Sequence, residues 1–186
     1  MAKRILPTPE QLRELLRYEP ETGKLYWKPR PVEMFSAGNT SAEANCKAWN
    51  TRYAGKEAFT SISTHGYRQG SVFDRMYQAH RVIWAVHYGE WPKGEVDHID
   101  TDRLNNRIAN LREATHSENK RNQGIRKSNT SGYKGVSWNS GAKSFCAQIY
   151  LEGKRIFLGY HATAEAAHAA YCEAAKKYHG EFARTV

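Results

Sequence analysis

Apolar positions along the chain come in short bursts, and their spacing switches between helical and alternating several times. Thr8-Pro9-Glu10-Gln11 opens the first burst as a helix start, with Thr as N-cap, Pro at the first helical position and Gln at the third. Leu12, Leu15 and Leu16 give that helix one apolar face, and Pro20-Glu21-Thr22-Gly23 ends it as a turn. Residues 24–28 alternate as a short strand. From 30 to 64 the pattern is poor and reads as loop, with one strand at 57–62. Residues 66–73 and 76–79 resemble a hairpin joined through Asp74-Arg75, and 80–88, with Val82, Ile83, Trp84 and Val86, reads as a helix stopped by Gly89. Next come a β-prone run at 96–99, a polar loop at 101–109, a second strand at 110–113 and a capping box, Thr115-His116-Ser117-Glu118, that opens a helix. Beyond Gly124 the stretch GIRKSNTSG reads as a flexible linker. Three strands follow at 133–138, 144–150 and 154–159, with turns at Gly141 and Glu152-Gly153. Thr163 then caps a helix whose stripe of Ala167, Ala170, Tyr171, Ala174, Ala175 and Tyr178 reads as core, closed by Gly180.

Charge sharpens this picture. The 186-residue chain carries a formal net charge of +9 with a pI near 9.5, and its length suits small modules on short linkers. Between His116 and Tyr160, eight Lys or Arg face two Glu, so that segment holds six of the nine net charges. With no long apolar run or basic amphipathic helix beside it, this excess favours nucleic acid over membrane as partner. The three cysteines, Cys46, Cys146 and Cys172, fit neither a disulfide framework nor a CxxC zinc knuckle and imply a reducing compartment. MAKRILPTPEQ has no apolar h-region and no stretch reaches membrane-spanning length, so the expected location is cytoplasmic.

The densest chemistry lies in VDHIDTDRLNNRIANLREATHSENKRN, from Val96. Asp97 and His98, neighbours on a strand, point to opposite sides, while Asn119 sits one turn into a helix that folds back over the strand pair. A carboxylate and an amide oxygen from two elements can hold one hard divalent cation with the imidazole nearby. That is the equipment for metal-assisted attack of water on a phosphodiester, with histidine as base. Read singly, His98 is a satisfied histidine and the asparagines a loop stitched by Asx turns. Asn105 and Asn106 are read that way; His80 and His87, seven apart on the preceding helix, could face the site but are read as core hydrogen-bonders.

Taken together, Asp97, His98, Asn110 and Asn119 resemble the HNH nucleases with the ββα-metal fold, in the variant that ends in Asn: Asn110 and Asn119 lie 12 and 21 residues after His98. The resemblance implies His98 as general base and Asn110 as the residue whose side chain ties the loop and fixes the His98 backbone. It implies Asp97 and Asn119 as ligands of one divalent cation, magnesium with manganese as the alternative. His116, only six residues after Asn110, is not taken as the ligand.

YKGV, AQIY, KRIFLGYHATAEAAHAAYCEAA and HGEFA, within residues 131–183, resemble the plant ethylene-response-factor, APETALA2-type, DNA-binding domain. That resemblance implies Lys134, Ser137, Gln148, Tyr150, Arg155 and Phe157 on an exposed sheet face lying in the major groove, with Trp138, Lys143 and Lys154 also expected to contact DNA. Lys120 and Arg121 of the preceding helix are expected to contact DNA, and Arg126 and Lys127 let the linker lie along the phosphate backbone or in a minor groove.

The expected fold is α+β: a leader region at 1–64, the ββα-metal module at 65–124, a basic linker at 125–130, and a three-stranded antiparallel sheet packed on one helix at 131–186. The expected function is that of a site-specific DNA endonuclease of the phage or intron-associated homing type. It would act as a monomer rather than a dimer on double-stranded DNA, nick one strand, and leave 5′-phosphate and 3′-hydroxyl ends. The competing readings are a non-catalytic DNA-binding regulator that keeps the nuclease shell, and an RNA-directed protein, against which the sheet-in-major-groove resemblance speaks.

Overall fold

A computed structural model of the chain describes residues 6–125 and 128–185. The chain divides into two compact units, Met1–Glu113 and Ala114–Val186.

In the first unit, helix α1 (Pro9–Leu15) starts on a reciprocal capping box. Gln11 N–H donates to Thr8 Oγ1 at 3.2 Å and Thr8 N–H to Gln11 Oε1 at 2.8 Å. Leu16, expected on the helix face, is already extended (φ −131°) and begins strand β1 (Leu16–Glu19), antiparallel to β2 (Lys24–Trp27). Burial on both sides of that junction, with Leu15 and Leu16 each 2% exposed, makes Leu16 serve the same core in either conformation.

The region expected as loop holds a 12-residue helix, α2 (Ala42–Tyr53), capped by Ser41. None of its residues is fully buried; Cys46, Trp49, Asn50 and Tyr53 are half-buried, so its sequence lacks an apolar stripe. Its anchor is aromatic: the Arg30 guanidinium sits 3.9 Å over the Trp49 ring, and Trp27 meets Trp49 edge-on at 5.8 Å. The strand expected at 57–62 is broken by Phe59 (φ 57°) into β3 (Glu57–Ala58), which pairs with β2, and β4 (Ser61–Ile62), which joins β5 (Arg68–Val72) and β6 (Arg75–Gln78) in another sheet. Helix α3 (Ala79–Tyr88) ends on Gly89 in the left-handed region. Strands β7 (Glu95–His98) and β8 (Leu111–Ala114) then pair with each other. Leu12, Leu15, Leu16, Leu25, Val82, Ile83, Val96 and Leu111 share one core, so the leader segments and the strand carrying Asp97 and His98 are built on the same foundation.

In the second unit, helix α4 (His116–Asn122) opens on the capping box of Thr115 and Glu118. Strands β9 (Val136–Asn139), β10 (Ser144–Leu151) and β11 (Lys154–His161) form an antiparallel sheet in the order β11, β10, β9, with a bulge at Ala147/Gln148. Helix α5 (Ala164–His179) buries Ala167, Tyr171, Ala174 and Ala175 in clusters with Val136, Ala147 and Ile149. Gly135 (φ +74°) makes that approach feasible, because a Cβ there would lie 2.1 Å from the Tyr171 ring.

Candidate functional site

Asp97 and His98 end β7, and both are buried, at 5% and 4% exposure. From His98 the chain turns at once: Thr101 N–H donates to the His98 carbonyl at 2.9 Å, with Thr101 itself at φ 68°. Asn110 closes the loop from the far side. Its Nδ2 donates to Asp100 Oδ1 and to the Asn105 carbonyl, both at 2.8 Å, its Oδ1 accepts from Asp100 N–H at 3.1 Å, and its carbonyl accepts from Ile99 N–H at 2.9 Å. Asp100 is the hub of the stitching, since its carboxylate also accepts from Asn105 Nδ2 (2.6 Å) and Asp102 N–H (2.8 Å). Partial burial works against ionisation of Asp100, but the hydrogen bonds from Asn105, Asn110 and Asp102 outweigh it and hold the carboxyl below its usual range. Asn105 thus takes the loop-stitching role expected of it.

Asn106 does not. It is 1% exposed, and its Oδ1 lies 2.9 Å from His98 Nε2. Two rings complete the setting: His80 of α3 meets His98 edge-on at 5.1 Å between centroids, and Tyr67 lies 5.9 Å from His98 and 5.0 Å from His80. The Arg103 guanidinium stands 5.0 Å over the Tyr67 ring while donating to the His65 carbonyl. Burial is the largest influence on His98 and lowers its pKa, against the raising effects of the Asn106 hydrogen bond and of Asp100, Asp97 and Asp102. The imidazole is therefore held neutral to lower pH than a free histidine, as a proton acceptor requires. From sequence alone, Asn106 takes a loop-stitching role and His80 a core role in preference to a place facing the site, and Tyr67 is not singled out. Loop asparagines and helix histidines carry no sign in a single sequence of which one meets the base.

The Asp97 Oδ2 accepts from Arg112 Nε of β8 at 3.0 Å. A carboxylate offers about four lone-pair sites on two oxygens, so this ion pair and cation ligation are compatible. Asn119 belongs to α4 in the second unit, and its amide oxygen is likewise a hard donor. Among the described residues no three His, Cys, Asp or Glu side chains converge as a metal cluster. The Asp97 carboxylate and the Asn119 amide oxygen are each hard donors of the kind a divalent cation takes.

The C-terminal sheet turns one face to α5 and the other to solvent. Ile149 is buried and Ile156 and Leu158 pack on the core, leaving Ser137, Gln148, Tyr150, Arg155 and Phe157 on the opposite face. Their register is Tyr150 opposite Arg155 and Gln148 opposite Phe157. Tyr160, absent from the expected set, extends that face: it is 52% exposed and meets Phe157 edge-on at 5.0 Å. Lys134, expected on that face, stands elsewhere, and two further expected DNA contacts, Trp138 and Lys143, lie off it. Trp138 shares its side of β9 with buried Val136 and meets Phe145 edge-on at 4.9 Å, away from the Tyr150 and Phe157 face. Lys134 lies before β9, half-buried, and its ammonium donates to the carbonyls of Arg121 and Gln123, both at 2.6 Å, instead of standing on the sheet face. Lys143 is exposed in the β9–β10 turn and off the sheet surface. Lys154 is exposed at the start of β11 and Lys120 on α4, where Arg121 is half-buried. Arg126 and Lys127 lie outside the described residues.

A family model described as HNH endonuclease matches residues 77–121, a span that takes in Asp97, His98, Asn106, Asn110 and Asn119. HNH nucleases generally use a divalent metal, and their match points to a DNA endonuclease type of function. No solved structure matches the chain. Protein 3.8 of Escherichia phage T7 is 35% identical over 116 residues, which make up 60% of this chain and 95% of the phage protein. Because that likeness runs through nearly the whole of the phage protein, the chain belongs to the same family as T7 Protein 3.8, with an HNH endonuclease domain at residues 77–121.

Proposed function

We propose that the protein is a metal-dependent DNA endonuclease of the homing type, in which residues 65–124 cut and residues 131–186, an APETALA2-type domain, read the duplex. The observation that carries the chemistry is the buried imidazole of His98, held at Nε2 by Asn106 and kept neutral by its surroundings, next in sequence to the carboxylate of Asp97. His98 accepts a proton from the attacking water, whose oxygen then bonds to phosphorus as the bond to the 3′ oxygen breaks. The products carry 5′-phosphate and 3′-hydroxyl ends. Asp97 and Asn119 would hold the cation, and Asn110 fixes the loop that presents His98. When bound, a hard divalent cation supplies charge neutralisation at the scissile phosphate and the leaving oxygen. One such centre per chain supports nicking by a monomer. The outer sheet face, with Arg155 beside Tyr150 and Phe157 beside Gln148, supports contact with the duplex through phosphates and apolar base edges.

The test is conversion of supercoiled plasmid to nicked or linear form at low salt with magnesium, by the wild type and by His98→Ala. Nicking that disappears both with EDTA and in the variant is the expected result. Equal cutting by the two proteins would remove His98 from the reaction. Tight, salt-sensitive binding without cutting, across a screen of targets, would favour the non-catalytic regulator.

A further inference from the structure

We propose that Asn106 is a positioning residue for His98, and that the β1–β2 hairpin of the leader segment is the buttress that keeps it there. The inference rests on the reading of His98 as base.

Asn106 is the one polar residue among the largest fully buried side chains described. A buried amide needs partners, yet its Nδ2 has none among the described residues. Leaving a buried donor unpaired costs stability, whereas a leucine of similar size would fill the same volume without that cost. Packing alone therefore does not account for an amide at this place. What the amide does is present Oδ1 to His98 Nε2 at 2.9 Å. An acceptor there keeps the proton on Nε2 and leaves the lone pair on Nδ1, since a neutral imidazole carries one donor and one acceptor nitrogen. With Tyr67 and His80 packed against the ring, the imidazole is fixed in both rotation and tautomer.

The hold on Asn106 comes from a segment some 90 residues earlier in the chain. Tyr18 of β1 donates its hydroxyl proton to the Asn106 carbonyl (3.1 Å) and accepts from Ile108 N–H (2.8 Å), straddling Arg107. Arg107 Nε reaches back to the Glu21 carbonyl at 2.6 Å. Gly23, at φ +71°, lies so close that a Cβ would be 2.6 Å from both Asn106 C and Arg107 N. Residues 106–108 are thus tied to the hairpin by the Tyr18 hydroxyl, by the Arg107 side chain on the Glu21 carbonyl and by one backbone contact, and the hairpin contributes none of the groups proposed to react.

The test compares wild type, Asn106→Leu, Tyr18→Phe and His98→Ala by single-turnover nicking rate and DNA affinity. The tautomer of His98 is read separately, in metal-free protein, from long-range ¹H–¹⁵N correlations of the imidazole. Expected are an Nε2–H tautomer in the wild type and a mixture in Asn106→Leu. The cutting rate of that variant should fall roughly ten- to a hundredfold with DNA affinity within about twofold, the scale of a misplaced catalytic group. Tyr18→Phe should lose several-fold in rate in the same sense. A wild-type rate in Asn106→Leu, or an Nδ1–H tautomer in the wild type, overturns the proposal. Should Asn106→Leu fail to fold, wild-type rate and tautomer in Tyr18→Phe overturn the buttress. Full activity in His98→Ala would instead sink the base assignment, while the tautomer measurement would still report whether Asn106 holds the ring.

Discussion

His80 is the neighbour that makes the surroundings of His98 unusual. It is 4% exposed, and burial, followed by the charges of His98 and Arg81, pushes its pKa down to about 3. A histidine whose folded pKa is depressed binds its proton better in the unfolded chain, so its stabilising contribution is complete above the unfolded value near 6.5 and is lost as pH falls from there toward about 3. At about 1.4 kcal/mol per pH unit, the loss between pH 6.5 and 5 is roughly 2 kcal/mol. His80→Phe, which keeps a ring in the cluster, should flatten that part of the stability profile measured by urea unfolding from pH 7 to 5. The lowered pKa of His98 acts with the same sign and stays in both proteins, so the difference between the two profiles isolates His80. Parallel profiles would mean that the ring titrates freely. The sequence makes His80 legible as a buried helix residue and no further. Its Nδ1 has no hydrogen-bond partner among the described residues, so the expected core hydrogen-bonder is at that atom only a packed ring. Which side chain stands opposite depends on where a loop 18 residues away returns, and no local pattern encodes that.

At the scale of elements, α4 is the most exposed to failure. Seven residues are too few for a helix to hold alone, so its ends must be satisfied from outside. The N-terminal cap is local and readable, because Thr115 and Glu118 are spaced for it. The C-terminal one is not: it is the Lys134 ammonium, donating to the carbonyls of Arg121 and Gln123 from beyond the linker. Burial holds that amine's pKa down to about 8. Lys134→Met keeps the aliphatic stem and removes the donors. It should accelerate amide exchange across 119–123 by the equivalent of about 1–3 kcal/mol and leave the salt dependence of DNA binding unchanged. A shallower salt dependence with unaltered exchange would return Lys134 to the DNA-contacting set. Elements with strong periodicity or complete caps, α1, α3, α5 and the C-terminal strands, were readable from sequence within a few residues. Helix α2 was not, because its packing is a stack of Arg30, Trp27 and Trp49 instead of an aliphatic stripe. Nor was β1, since Leu16 satisfies a helix face and a strand equally.

For the molecule as a whole, the net charge of +9 and the exposed sheet face make opposite predictions for two neighbouring residues. The HNH domain can be picked out of the sequence by its spacing and residue types, whereas the division of the chain at Glu113 and Ala114 cannot, because it falls inside the matched HNH span without a Pro, Gly or Ser signal. The charge distribution, by contrast, is fully legible, and its consequences depend on which basic groups remain exposed. Arg155 is exposed on β11 opposite Tyr150, and Phe157, 54% exposed, is opposite Gln148. If this face meets the phosphate backbone, Arg155→Ala releases one fewer counterion per binding event, and the slope of log affinity against log salt should become shallower by about 0.9. Phe157→Ala removes apolar contact without charge, so affinity should drop at every salt concentration with the slope unchanged. Fluorescence anisotropy on one duplex from about 50 to 200 mM salt measures both. Two unchanged binding curves would take the face out of DNA contact. A slope change from Phe157→Ala would signal that the ring positions Arg155 and makes no apolar contact of its own, since only a displaced charge can alter the counterion count.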